Sequence, residues 1–263
     1  MGDITQAKRI VIKVGTSTLT HETGMVNIRR LEAFIKVLAD IRNSGREIIL
    51  VSSGAMAVGR GKLHMREKPA DTPTNQATAA VGQGELMHLY DTLFGQYNHI
   101  AAQVLLTKDV VDNAERRENV INTFSRLLEL GCIPVVNEND TVAVEEIEFG
   151  DNDALSAIVA TLCKADALII LSDIDGLYDC DPRGNPAACF IPLVEEIDEK
   201  ILAMASGTGS ARGTGGMVTK VHAAQIAAGA GIETVVMNGA DPYVLYDLLD
   251  GKVVGTRFSA QSC

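Results

Sequence analysis

The stretch Arg9-Ile-Val-Ile-Lys-Val-Gly-Thr-Ser17 decides how this chain folds. A short run of β-branched residues ended by glycine reads as a buried strand, Arg9–Val14, opening into a polar loop, Gly15–Thr18. Lys13 breaks the apolar run just before that loop. A lysine there either snorkels from an edge strand or sets a positive charge beside an anion that loop N–H groups also hold.

Outward from this strand the same grammar repeats. Asn27 precedes a helical pattern with Ile28, Leu31, Ile35, Leu38 and Ile41 on one face and Gly45 beyond its end. The strand Glu47–Val51 runs into Ser52-Ser53-Gly54-Ala55, and a helical stretch over 76–94 leads to a strand over 99–106. A helix over 118–130 leads to a strand over 133–137, and a hairpin-like stretch over 142–149 precedes a helix over 152–163 and a strand over 167–172. The second half adds a short strand over 190–194, a short helix over 198–204 and the glycine-rich segment 207–216. It closes with a helix over 217–230, a strand over 234–237, a helix over 243–249 and a strand near 256–258. Apolar strands alternating with helices imply a mainly parallel sheet covered on both faces, an α/β/α sandwich of three layers. One continuous domain is expected, with halves at about 1–165 and 166–263 and no internal repeat.

In open parallel sheets, ligands bind where strands end and loops diverge. Polar clusters recur at those ends: Lys13 with Gly15, Ser52 to Ala55, Asn137 to Asp140, and Ser172 to Asp175. Any one of them is explained by ordinary turn chemistry, but four at successive strand ends point to a site. Lys220 follows Gly215-Gly216 in the first turns of a helix, where it and the helix N-terminus can act on one anion, although helix lysines are usually solvated. Asp153 falls at a helix start, where a carboxylate either stabilises the terminus or aims a lysine.

The composition excludes several classes. With 263 residues, 46% apolar and 22% charged, the chain is an ordinary folded protein with few aromatics and no tryptophan. A formal charge of -11 argues against general nucleic-acid binding, while leaving room for a locally positive pocket. No signal-peptide pattern opens the sequence and no apolar run is long enough to span a membrane, so a cytoplasmic setting is expected. The five cysteines, at 132, 163, 180, 189 and 263, form no C-x-x-C pair and read as reduced thiols. The histidines show no metal-ligand spacing. Neither G-x-x-x-x-G-K-[ST] nor G-x-G-x-x-G after the first strand is present, so P-loop and dinucleotide-binding readings fail.

Taken together, these segments resemble the amino acid kinase family, in its glutamate-phosphorylating branch. The stretches that carry the resemblance are Val11-Ile-Lys-Val-Gly-Thr-Ser, Val51-Ser-Ser-Gly-Ala and Val135-Val-Asn-Glu-Asn-Asp. They continue with Phe149-Gly-Asp-Asn-Asp-Ala-Leu-Ser, Leu171-Ser-Asp-Ile-Asp-Gly-Leu-Tyr and Gly213-Thr-Gly-Gly-Met-Val-Thr-Lys, in order along nearly the whole chain. The resemblance implies the carbamate kinase-like fold and phosphoryl transfer from ATP, with Mg²⁺, to the side-chain carboxylate of L-glutamate, opening proline synthesis.

It further implies that Lys13 and Lys220 carry the charge of the moving phosphoryl group and that Asp153 orients them. Ser53, Gly54, Asn137, Asp140, Asp151 and Asn152 would hold the acceptor, with Asp140 receiving its ammonium. Lys13, Gly15, Ser172, Asp173, Gly213, Thr214, Gly215, Gly216, Met217 and Lys220 would face the nucleotide. A homo-oligomer, dimer or tetramer, and feedback inhibition by L-proline through the segment 59–74 are implied as well, without the C-terminal PUA domain of many bacterial members. The rival acceptors are acetylglutamate, aspartate and carbamate, and a catalytically inactive metabolite-binding regulator is the rival of another class.

Overall fold

The computed structural model describes residues 4–21, 23–107, 109–142, 152–206 and 216–260. All but the first residue of the expected hairpin over 142–149 and most of the glycine-rich segment, 207–215, lie outside them, as do Asp151, Gly213, Thr214 and Gly215. The chain opens with β1 (Arg9–Val14), α1 (Thr16–Leu19), α2 (Ile28–Asn43), β2 (Glu47–Ser52), α3 (Ala55–Lys62) and α4 (Thr72–Gly95). Next come β3 (Ala101–Leu106), α5 (Asp109–Asp112), α6 (Ala114–Glu129), β4 (Ile133–Glu138), α7 (Asn152–Cys163) and β5 (Ala167–Ser172). The last elements are β6 (Leu193–Val194), α8 (Glu199–Ser206), α9 (Met217–Gly229), β7 (Glu233–Asn238), α10 (Val244–Leu249) and β8 (Thr256–Phe258). Among the described residues, no helix is long and apolar enough to cross a membrane.

The chain forms two compact units, Met1–Lys13 with Phe149–Cys263, and Val14–Glu148. In the first, strands run in the order β1-β5-β7-β8-β6. Strands β5 and β7 are parallel, in register from Ala167 opposite Glu233 to Ser172 opposite Asn238, and β8 pairs antiparallel with β7. Every residue of β5 is buried, which is why its sequence, Ala-Leu-Ile-Ile-Leu-Ser, shows no polar alternation. Asp166 clamps the start of β1, because its carboxylate accepts the backbone N–H groups of Lys8 and Arg9 at 2.8 Å each. Helices α7 and α9 pack against each other in this unit, and their Ala157, Ala160, Ala223 and Ala224 are all buried.

In the second unit, strands run β3-β4-β2, all parallel. Register places Val51 opposite Val136, so the C-terminal ends of β2 and β4 lie level with each other. Helix α2 starts where expected, with the Asn27 side chain accepting the Arg30 N–H, but Ile28 is exposed and its inward place is taken by Phe34 and Val37. Three short helices, α1, α3 and α5, stand outside the expected pattern. The loop after β1 winds into the single turn α1, and the stretch after Gly54 forms the helix α3.

Glycines explain α3. A Cβ on Gly82 of α4 would fall 1.8 Å from the Ala55 carbonyl oxygen, and one on Gly59 of α3 would fall 2.0 Å from the Thr78 oxygen. The two helices therefore touch backbone to backbone, a contact that only glycine permits. The expected strand over 190–194 shrinks to Leu193–Val194, with Phe190 forming an isolated bridge to Tyr178.

Candidate active site

The first unit buries three charged side chains together. Lys13 projects from the end of β1, Asp153 from the first turn of α7 and Lys220 from the first turn of α9. Lys13 Nζ stands 2.7 Å from Asp153 Oδ1, and Lys220 Nζ donates to Asp153 Oδ2 at 3.0 Å. The lysines are 5% and 6% exposed and the aspartate is wholly buried, so neither lysine is a snorkelling surface residue. Burial opposes ionisation of Asp153, but the ammonium groups of Lys13 and Lys220 outweigh it and hold its carboxyl well below the usual carboxylate range.

Among the described residues, one carboxylate faces two ammonium groups in a place where water screens charge poorly. An anion with several oxygens is the natural complement. Sequence patterns gave no sign of Thr219, whose hydroxyl lies 2.9 Å from both Asp153 Oδ2 and the Gly216 carbonyl oxygen. It ties the carboxylate to the start of α9, where Gly216 is the N-cap and Met217 is buried. Ser156 turns inward as well, its hydroxyl donating to the Asp153 carbonyl at 2.6 Å.

In the same unit the ends of β5 and β7 lie level with each other. Ser172 is buried at the end of β5 and its hydroxyl is 3.3 Å from the carboxylate of exposed Asp173. The Ser172 carbonyl accepts the Gly239 N–H at 2.8 Å, and Asn238 donates to Asp175 at 2.8 Å. These groups form a polar strand-end rim of the kind that receives nucleotides in open α/β sheets.

The second unit carries the other expected residues. Gly15 caps the short helix α1. After β2, the Ser53 N–H donates to the Val14 carbonyl at 3.1 Å, and Gly54 adopts φ +100°, a left-handed conformation that favours glycine, as it starts α3. At the end of β4, buried Asn137 donates through Nδ2 to Gln83 Oε1 of α4 at 2.9 Å. Burial pushes the carboxyl of Asp140 above its ordinary value, and burial together with the Asp140 charge does the same to Glu138. Carboxylates held this way gain from a cation brought close.

Gln83 and Tyr90 are further residues that sequence patterns missed. Tyr90 is buried on α4, with its hydroxyl 2.7 Å from Ser52 Oγ, and burial raises its phenol far above the ordinary range. Asn152 stands at the start of α7, in the first unit.

Known proteins match along the whole of this arrangement. The sequence profile of the amino acid kinase family matches residues 8–238. The chain belongs to the amino acid kinase family. It is 54% identical over 259 residues to the glutamate 5-kinase of Clostridium perfringens, covering 97% of this chain and 96% of that protein. It is 56% identical over 252 residues to the glutamate 5-kinase of Carboxydothermus hydrogenoformans, covering 95% of this chain and 68% of that longer protein. Among solved structures, the UMP kinase of Bacillus anthracis superposes with a TM-score of 0.69 at 18% identity, over 97% of each chain. Carbamate kinase from Giardia lamblia bound to AMP-PNP gives 0.67 at 15% identity, over 97% of this chain and 99% of that one. This member has the family's fold, a mixed but mainly parallel sheet flanked by helices.

Proposed function

We propose that this amino acid kinase transfers the γ-phosphoryl group of ATP to the side-chain carboxylate of L-glutamate, giving L-glutamyl 5-phosphate and ADP. The observation that carries the chemistry is the buried cluster in which Asp153 holds Lys13 and Lys220. The acceptor is supported by the curated glutamate 5-kinases, which this chain matches at more than half of its positions.

Phosphoryl transfer asks the protein for positioning and for positive charge where oxygens become more negative. Lys13 and Lys220 supply that charge from two elements, and Asp153 keeps their ammonium groups from swinging away. Asp153 does no proton transfer, since its carboxylate is held ionised. The acceptor carboxylate is ionised at neutral pH, so its oxygen attacks phosphorus without a general base. The bond formed is carboxylate oxygen to phosphorus, and the bond broken is phosphorus to the oxygen bridging to ADP. Ser53, Gly54, Asn137, Asp140, Asp151 and Asn152 hold the acceptor in this reading, with Asp140 opposite its ammonium. Gly15, Ser172, Asp173 and the segment 213–217 face the nucleotide.

Mg²⁺ belongs to the same proposal. Among the described residues, no group of three His, Cys, Asp or Glu could hold a metal ion, and Asp153 is engaged by its lysines. The ion therefore suits a place on nucleotide phosphates and water, where it would offset phosphate charge.

We further assign a cytoplasmic setting, supported by the substrates and by Cys132, Cys163, Cys180 and Cys189, which form no disulfide among the described residues. A homo-oligomer and inhibition by L-proline complete the reading and rest on the family resemblance of the whole chain and of segment 59–74.

Parallel assays with glutamate, N-acetylglutamate, aspartate and carbamate, trapping the acyl phosphate with hydroxylamine, test it. Hydroxamate from glutamate at a kcat/KM at least 100-fold above the others is expected. Turnover of another acceptor with none of glutamate overturns the assignment.

A further inference from the structure

We propose that Tyr90 is a positioning residue for the acceptor site, because its hydroxyl fixes the end of β2 and with it the Ser53–Gly54 turn. The proposal rests on the reading of Ser53 and Gly54 as acceptor-holding residues. Its observations all lie within the second unit.

Tyr90 lies on α4 and is fully buried, as is Phe94 one turn further on, with the two ring centroids 6.5 Å apart. Phenylalanine would fill this space equally well, so what sets a tyrosine apart here is its hydroxyl, which when buried needs a partner. It has one in Ser52 Oγ at 2.7 Å, on a residue that is only 1% exposed. Either oxygen can supply the hydrogen, and the tie is the same in both cases. Half-turns of the ring leave the phenol oxygen in place, since that oxygen lies on the axis of rotation.

Ser52 ends β2, and the turn follows it directly. Helix α4 holds this turn from both ends. Tyr90 bonds to Ser52 just before it. Gly82, about two turns earlier on α4, lies against the Ala55 carbonyl just after it, so closely that a Cβ would not fit. Between these two seats the Ser53 N–H donates to the Val14 carbonyl at 3.1 Å, and Gly54 takes φ +100°. Two residues pinned before, within and after have little freedom left. A ligand-holding turn needs that, because its groups must keep their places to within about 0.5 Å.

The test is steady-state KM for the acceptor and for ATP, with kcat and Tm, in Tyr90→Phe, Ser52→Ala and the double variant. The acceptor is glutamate, replaced by another of the four assayed acceptors only where the wild type turns over that one instead. Tyr90→Phe is expected to raise acceptor KM about five- to tenfold, the worth of one buried hydrogen bond, with ATP KM changed less than twofold. Ser52→Ala should raise it at least as much, and adding Tyr90→Phe to Ser52→Ala should change it less than twofold further. A lowered Tm with acceptor KM unchanged would make the bond merely structural and overturn the proposal. Equal rises in both KM values, or additive effects in the double variant, would overturn it as well. Gly54→Ala, strained at φ +100°, reports on the underlying reading and should raise acceptor KM whatever Tyr90 does. An unchanged value there would sink that reading and this proposal together, whereas a rise there with none in Tyr90→Phe would sink the proposal alone. If Tyr90→Phe fails to fold, Ser52→Ala breaks the same bond from its other end, and an unchanged acceptor KM in it decides against the proposal.

Discussion

Asp153 Oδ2 on α7 accepts a hydrogen bond from Lys220 Nζ on α9 at 3.0 Å, with both groups all but shut off from water. A buried pair of this kind is a poor source of stability by itself, because taking two charges from water costs about what their attraction returns. Breaking it from one side is another matter. Asp153→Asn takes from two buried ammonium groups the carboxylate that both of them contact. Unfolding free energy should fall by about 3–5 kcal/mol, as read by urea denaturation at pH 7. A change below 1 kcal/mol would show that the lysines do not depend on this carboxylate.

The same carboxylate gives acid sensitivity. Its folded-state pKa lies below its unfolded value, because the two ammonium groups outweigh burial. Its contribution is therefore present above the unfolded value, near 4, and is lost progressively as pH falls below that value toward the lower folded-state one. Wild-type stability should drop faster than that of Asp153→Asn between pH 5 and pH 3. Parallel curves would contradict this.

Asp140 behaves in the opposite sense. Burial raises its pKa in the folded state, so the ionised form at neutral pH is a liability that protonation relieves. Asp140→Asn should raise the Tm of the ligand-free protein at pH 7.5 by about 1–3 °C, while acceptor affinity falls, a trade of stability for binding. It also removes the charge that adds to burial in raising Glu138. A lower Tm, or unchanged acceptor affinity, would refute the pairing of Asp140 with the ammonium.

Two glycines on one helix separate packing from propensity. Gly82→Ala puts a methyl group into the Ala55 backbone and should cost at least about 1–3 kcal/mol. Gly84→Ala, with nothing within 4 Å of its added methyl, should stabilise by about 0.5–1 kcal/mol through helix propensity alone. Thermal denaturation of the two variants checks both signs.

The strands and the long helices were legible because their signals are local. Short apolar runs mark β1, where Lys13 alone interrupts the run after Arg9, and β5, and Asn27 marks the start of α2. Helix α3 was hidden by its own glycines, Gly59 and Gly61, whose cost in helix propensity serves a contact with segments far along the chain. The true start of α4 carried readable signs, Asp71 as N-cap and Pro73 in the first turn, ahead of the apolar pattern.

In the candidate site, charged residues at strand ends stood out, and Lys13, Asp153 and Lys220 do meet. Thr219, Gln83 and Tyr90 did not stand out. Each looks like an ordinary helix residue until folding brings its partner from 66, 54 and 38 residues away. Lys220 itself sits where a lysine is usually solvated, yet it is buried against Asp153 of α7.

The central claim is that two lysines on one carboxylate carry the transferring phosphoryl group. The most direct measurement is the single-turnover rate of acyl-phosphate formation in Lys13→Met and Lys220→Met, saturated with ATP and glutamate. Each variant keeps a long apolar stem and loses its charge. A fall of about 100- to 1,000-fold in the chemical step is expected, with binding of glutamate changed less than threefold. A chemical step within threefold of wild type in both variants would contradict the account.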